Sequence, residues 1–357
     1  MKVLLVAPLP PPYGGITNWS QIMLNYVKNT CDEFCTLNIA PKKRSTEGRN
    51  LFDRVVVSGL DMIKKRSELK RIISNEKIDV IHMTTSGSMA AIRDILLMRV
   101  AKKSNIPVVY HLHFGRTPEM ARRNSFLWKL FLKAMSLASA VVTIDKRTYS
   151  TVCDNIDPKK VFLIPNPVDL KQLPEKSEEI KKQVAFLGWV IPAKGINELI
   201  SAWNTVGKEF SQYELVIIGP AKKEYLNTLE EAIKVKNVAF VGEKSHDEAM
   251  KALSKAEAFI LPSYTEGFPN AIIEAMALEK AIIASNVGAI PEMLDGDCGV
   301  VIESKSESEI ISALRKVLSD ENYRKYIARN AFEKVKNEYS IEKVYELYIE
   351  IWKNLKK

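Results

Sequence analysis

The chain opens on KVLLVAP, an unbroken apolar run closed by prolines, and turns at Gly14-Gly15 into a segment from Ile16 to Val27 with apolar side chains at helical spacing. A short continuous apolar run fits a strand buried on both faces, and a 3.6-residue period fits an amphipathic helix, so the first unit reads as strand, loop, helix. Further short apolar runs at 79–82, 107–112, 140–144 and 161–164 alternate with helical patterns around 61–75, 88–104 and 119–138. That alternation predicts a mostly parallel sheet covered by helices. Residues 171–182, KQLPEKSEEIKK, are charged and almost free of large apolar side chains, the composition of an interdomain linker. Beyond them the alternation starts afresh, with strands near 183–187, 213–218, 237–241, 257–261, 281–284 and 299–302. Two α/β domains are expected, 1–170 and 183–338, followed by a terminal helix over 339–357. In that helix Ile341, Val344, Leu347, Tyr348 and Ile351 make an apolar stripe that must be buried, either on its own domain or back on the first.

Composition narrows the class. The 357 residues are long enough for two substantial cores, and scattered prolines and glycines argue against fibrous or disordered chains. Four cysteines, Cys31, Cys35, Cys153 and Cys298, lack paired metal-site spacing. No cleavable signal pattern precedes the first strand and no run of 18 or more apolar residues occurs, so a cytoplasmic protein without a spanning helix is expected. The net charge of +9 is unevenly spread: residues 1–170 hold 26 Lys/Arg against 14 Asp/Glu, and the remainder 26 against 29. A positive front half suits phosphates or an anionic membrane face, or serves solubility alone. Nucleic acid is disfavoured, because no zinc finger, basic zipper or RNP-like strand is present. Residues 120–138, MARRNSFLWKLFLKAMSLA, interleave aromatics with Arg122, Arg123, Lys129 and Lys133. Such a helix either lies peripherally on an anionic membrane or turns its aromatic face to its own sheet.

Candidate chemistry falls where ligands of open α/β sheets bind, beyond the carboxyl ends of strands. Gly14 and Gly15 precede a helix, where glycine allows close backbone approach and free N–H groups hold an anion. His111 and His113 end the strand IPVVYHLH on one face. They would hold a metal if a third ligand existed, contact substrate or exchange a proton, or hydrogen-bond structurally. His82 sits at a strand end before TTSGS, and His246 at a helix start reads as a surface or cap residue. Lys194, after VAFLGWVIPAKG, lies at a helix N-terminus, a poor place for a cation unless an anion binds there. In EGFPNAIIEAMALEK one carboxylate, Glu266, precedes Gly267, and another, Glu274, lies on the following helix. Ionised carboxylates accept hydrogen bonds from hydroxyl groups, which suits a polyhydroxylated ligand. Asp295-Gly296-Asp297 reads as a turn rather than a metal site.

Together EGFPNAIIEAMA with its continuation AIIASNVGAIPEML, and PPPYGGI, VVYHLHFG, LIPNPVD and LGWVIPAKG in that family's order, resemble the family-four retaining glycosyltransferases. The resemblance implies a GT-B fold, two Rossmann-like α/β domains facing across a cleft. The first would bind a saccharide or lipid-linked saccharide acceptor, at the inner face of the cell membrane where the acceptor is lipid-linked, and the second a nucleoside diphosphate sugar. It further implies that His113, Lys194 and Glu266 serve catalysis. The donor would be bound by Gly14, Gly15, Gly188, Lys194, Glu266, Gly267, Phe268, Pro269, Asn270 and Glu274, with Glu266 on the sugar, Glu274 on the ribose and Lys194 on the diphosphate. No metal and no cofactor beyond the donor substrate are implied. One position departs from the pattern: Trp189 follows Gly188 where the family commonly has arginine. A GT-B sugar-nucleotide epimerase or phosphorylase, and a non-catalytic nucleotide-sugar-binding scaffold, are the competing readings.

Overall fold

In the first strand, β1 (Lys2–Ala7), side chains alternate between two cores: Val3, Leu5 and Ala7 join one and Leu4 and Val6 the other. A strand covered on both faces has no polar side, which is why its sequence is continuously apolar. The computed structural model describes residues 1–11, 14–40, 51–87, 89–175 and 179–356, and for 51–58 the backbone. Pro12 and Tyr13 of the glycine loop, Ser88 of TTSGS and residues 176–178 of the expected linker lie outside the described residues.

The chain forms two units, residues 1–166 with 341–357, and 167–340. Unit 1 continues through α1 (Gly15–Val27), β2 (Glu33–Asn38), α2 (Leu51–Asn75), β3 (Val80–Thr85), α3 (Ala90–Lys103), β4 (Val108–Leu112), α4 (Thr117–Arg122), α5 (Phe126–Leu137), β5 (Ala140–Thr143), α6 (Lys146–Cys153) and β6 (Val161–Leu163). Its six strands are parallel in the order β2-β1-β3-β4-β5-β6. Leu69, Leu97, Met98, Trp128 and Phe131 cover one face, from α2, α3 and α5. The helical pattern expected over 119–138 is two helices, α4 and α5. Asn124 takes a left-handed conformation, φ 42°, and the Ser125 hydroxyl caps α5 by accepting from the Trp128 N–H. Trp128 and Phe131 are buried whereas Phe126 is 73% exposed.

Unit 2 contains β7 (Gln183–Leu187), α7 (Ile196–Glu209), β8 (Glu214–Ile218), α8 (Lys223–Ala232), β9 (Val238–Gly242), α9 (His246–Lys255), β10 (Ala258–Leu261), α10 (Asn270–Ala277), β11 (Ala281–Ser285), α11 (Ile290–Met293), β12 (Val300–Ile302), α12 (Glu307–Ser319) and α13 (Glu321–Lys334). Its parallel sheet runs β12-β11-β10-β7-β8-β9, the strand order of a Rossmann sheet. A π-helical turn, Val335–Tyr339, follows α13, and the Tyr339 carbonyl accepts from the Val168 N–H at 2.8 Å.

The final helix, α14 (Ile341–Leu355), belongs to unit 1 and closes the second face of its sheet beside α1. Ile341, Val344, Tyr345, Tyr348, Ile351 and Trp352 are its buried side chains, while Leu347 is 40% exposed. The apolar stripe is therefore rotated from the one expected, by Tyr345 and Trp352 replacing Leu347. No described helix is long and apolar enough to cross a membrane.

Candidate functional site

In unit 2 the strand order reverses between neighbours β7 and β10, and the loops leaving their carboxyl ends lie where ligands of open α/β sheets bind. Lys194 and Glu266 lie on those two loops. The first begins at Gly188, whose N–H donates to the Ile218 carbonyl, passes the exposed Trp189, and makes a 3₁₀ turn, Pro192–Lys194, before α7. Gly195 then adopts φ 71°, and a Cβ on it would overlap the Pro262 carbonyl of the second loop. This is a position where only glycine permits both the left-handed backbone and the close approach. The second loop is tied on by the Tyr264 N–H, which donates to the Ala193 carbonyl at 2.9 Å, and by the Tyr264 hydroxyl, which donates to Glu198 Oε1 at 2.6 Å. Burial and the Glu198 carboxylate push that hydroxyl up to about 12, so it stays a donor.

The consequence is an ion pair between the two loops: Lys194 Nζ lies 2.5 Å from Glu266 Oε1, which also accepts from Ser263 Oγ at 2.6 Å. Both side chains are mostly buried, at 24% and 11% exposed. A third loop fixes Glu266 from below. Ala289 donates its N–H to the Gly267 carbonyl at 2.9 Å, and Gly288, at φ 58°, leaves no room for a Cβ beside the Glu266 carbonyl. Phe268 packs edge-on to Tyr339, Pro269 occupies the N-cap of α10, and Asn270 starts that helix. Glu274, in the second turn of α10, is buried.

Glu274 Oε1 meets His246 Nε2 at 3.0 Å. The hydrogen bond to Glu274 raises the His246 imidazole above its ordinary value of 6.5, helped by Asp247 and opposed by burial. His246 thus begins α9, with Ser245 as N-cap, and in addition holds a carboxylate 28 residues away. A pKa raised on folding stabilises the folded state below the unfolded value and loses that stabilisation as pH rises through the folded value. The wild-type advantage in thermal midpoint over His246→Gln is accordingly expected to be full below pH 6.5 and to shrink above it, as read by melts across that range. A pH-independent difference between the two proteins would contradict the pairing.

In unit 1 the strand order turns between β1 and β3, and the loop after β1 carries Gly14 and Gly15. Gly14 is extended, its carbonyl accepts from Thr17 Oγ1 and the Asn18 N–H, and α1 has no side-chain N-cap. A Cβ on Gly15 would meet nothing within 4 Å, so packing among the described residues does not demand glycine there. His113 follows β4 and donates its N–H to the Thr85 carbonyl. Its ring lies 3.9 Å, centroid to centroid, from that of His111, and Trp19 of α1 stands edge-on to both. Burial pushes the His113 imidazole down to about 3.

The structure thus joins Lys194, Glu266 and Gly267, with Gly188 on the same loop as Lys194, and puts Glu274 against His246. His113, Gly14 and Gly15 stand in the other unit. Ser263 and Gly288 escaped sequence reasoning, and His246, expected as a surface or cap residue, proves also to pair with Glu274. Asp295-Gly296-Asp297 is a turn with Gly296 and Asp297 at positive φ, and Asp295 pairs with Lys334. Among the described residues no group of three or more His, Cys, Asp or Glu is placed to hold a metal ion.

Two family models match the chain: Glycosyl transferases group 1 over residues 167–334 and Glycosyltransferase Family 4 over residues 40–172. A crystal structure of Anabaena HepE in complex with UDP superimposes with a TM-score of 0.78 at 16% identity, covering 99% of this chain and 100% of that one. Two Rossmann-like units with this likeness define the GT-B architecture. Among curated relatives, an uncharacterized glycosyltransferase of Methanocaldococcus jannaschii is 25% identical over 349 residues, 93% of each chain. The capsular polysaccharide biosynthesis glycosyltransferase CapM of Staphylococcus aureus is 28% identical over 186 residues, 50% of this chain and 48% of its own. The chain is thus similar, over its two parts, to the glycosyltransferase families those two models describe, and to bacterial polysaccharide-biosynthesis glycosyltransferases.

Proposed function

We propose that the protein is a retaining glycosyltransferase that moves a sugar from a nucleoside diphosphate sugar to an acceptor hydroxyl in polysaccharide or glycolipid assembly. The observation that carries this is the convergence of Lys194 and Glu266 at the strand-order reversal of unit 2, with Glu274 presented from the helix that continues the same loop. Anabaena HepE, of the same fold, is solved with UDP and with UDP-glucose. In this reading unit 2 takes the donor: Lys194 meets the diphosphate, Glu266 the sugar hydroxyls and Glu274 the ribose. Gly188, Gly267, Phe268, Pro269 and Asn270 shape the surrounding backbone. Unit 1 contributes Gly14, Gly15 and His113, and the acceptor contacts. The acceptor oxygen bonds to the anomeric carbon on the face from which the diphosphate departs, and the acceptor proton passes to a departing phosphate oxygen. Charge growing on that leaving group is where fixed cations and N–H groups contribute most.

The exposed Trp189 stands where an arginine would add a second cation, which leaves Lys194 as the cation of this loop. Glu274→Ala is expected to weaken nucleotide-sugar binding by about tenfold or more, the loss of a charge-assisted hydrogen bond, as measured by titration calorimetry. Unchanged affinity would remove Glu274 from the site. The whole reading is tested by titrating the chain with common nucleoside diphosphate sugars and analysing products made with membrane extract as acceptor. A new glycoside of retained anomeric configuration supports it. An epimerised sugar nucleotide, phosphate-dependent cleavage, or binding without transfer each replaces it.

The lipid-linked acceptor belongs to the same proposal. Phe126 projects from the start of α5 among the exposed Arg122, Arg123, Lys129 and Lys133, a combination that suits an anionic lipid surface. Binding to anionic vesicles is expected at low ionic strength and is expected to fall steeply with salt, because exposed charges are screened beyond about 10 Å at 0.1 M. A wild-type chain that ignores such vesicles at low salt would exclude this surface.

A further inference from the structure

Three imidazoles lie together inside unit 1: His82 in β3, His111 in β4 and His113 just after it, walled by Trp19 of α1 and by Tyr348 and Trp352 of α14. Their protons can be placed by elimination. An indole N–H donates and never accepts. Trp352 Nε1 lies 3.2 Å from His82 Nδ1, so that nitrogen carries a lone pair and the His82 proton is on Nε2. His82 Nε2 lies 3.2 Å from His111 Nδ1, which must therefore accept, and the His111 proton is on its own Nε2. Burial keeps the rings neutral, with His82 and His113 pushed down to about 3 and His111 well below the ordinary imidazole value. The series ends at His111 Nε2, which like His113 Nε2 is buried with no hydrogen-bond partner among the described residues.

We propose that Trp352 is a positioning residue for His113: by donating to His82 it fixes His82 and His111 in the Nε2–H form, so that the ring packed against His113 keeps one orientation and one donor. This rests on the reading that His113 takes part in transfer. Without the indole N–H, His82 is free to carry its proton on Nδ1. Its Nε2 then becomes an acceptor, His111 turns its proton to Nδ1, and the donor beside His113 disappears. A helix from the end of the chain thereby sets a proton position two rings away, in the middle of the sheet.

Nitrogen-15 spectra of histidine-labelled full-length protein read these tautomers directly, without substrate. The expected wild-type result is the Nε2–H form for both His82 and His111. In Trp352→Phe, which keeps an aromatic ring but no donor, His111 is expected to acquire a share of the Nδ1–H form. Transfer is expected to fall about tenfold, equivalent to about 1.4 kcal/mol in the barrier, with the donor dissociation constant unchanged. His82→Gln offers an amide oxygen to Trp352 and an amide N–H to His111, and is expected to preserve the His111 tautomer where His82→Leu does not. A wild-type His111 protonated on Nδ1, or on both nitrogens, overturns the proposal. So does a Trp352→Phe protein whose His111 is unchanged. Should Trp352→Phe fail to fold, the wild-type and His82→Gln spectra decide. Absence of nucleotide-sugar binding in the calorimeter would instead defeat the functional reading and leave the tautomer result standing.

Discussion

Lys194→Ala is expected to lower glycosyl transfer by about a hundredfold or more, the range seen when one fixed group facing a developing negative charge is removed. Two losses combine. The diphosphate loses its cation, and Glu266, 11% exposed, loses the ammonium that holds its Oε1 and keeps Ser263 as its one side-chain partner among the described residues. The first loss acts on the leaving group and the second on the placement of the sugar. Ser263→Ala removes the weaker of the two partners and is expected to cost far less. Rates measured with saturating donor separate chemistry from binding, because a group that acts on the transition state alone lowers kcat and kcat/KM together. If Lys194→Ala transferred sugar at the wild-type rate, the charge assignment in unit 2 would be wrong.

Trp352→Ala is expected to destabilise the protein by roughly 3–5 kcal/mol, the usual cost of deleting a fully buried large aromatic side chain. The indole is stacked on Tyr348 at 5.8 Å, edge-on to Phe34 at 5.7 Å and to Tyr345 at 5.7 Å, and it donates to His82. Against a total stability of about 5–15 kcal/mol for a typical domain, that loss consumes much of the margin of unit 1. A urea melt should show the transition of unit 1 moved to lower denaturant with unit 2 little changed. Identical melts for Trp352→Ala and wild type would mean that α14 is dispensable to the core it appears in.

Much of the fold was legible because strands buried on both faces write themselves as apolar runs, and β1, β3, β4, β7, β8 and β10 did so. The strand β2 was not, because it lies at the sheet edge and EFCTLN shows mostly intermediate or exposed positions. The break between α4 and α5 had a signal, asparagine before a serine cap, that the strong apolar pattern around it masked. In the candidate site, Glu266 and Glu274 could be found from their own segment. His246 could not, since its link to Glu274 exists only once α9 is laid beside α10. Nothing in the sequence sets Gly195 and Gly288 apart from other glycines, and only the neighbouring Pro262 and Glu266 carbonyls reveal why a side chain is excluded there.

The placement of α14 also bears on how the protein is made. The ribosome releases β1 to β6 first, yet the aromatic wall they need arrives after all of unit 2 has been synthesised. Domains generally fold as units, N-terminal first, as they leave the ribosome. Here the earlier unit must wait with one face of its sheet covered by α1 but not by α14 while the later one completes itself, so nascent chains stalled before residue 341 expose apolar surface that the finished protein buries.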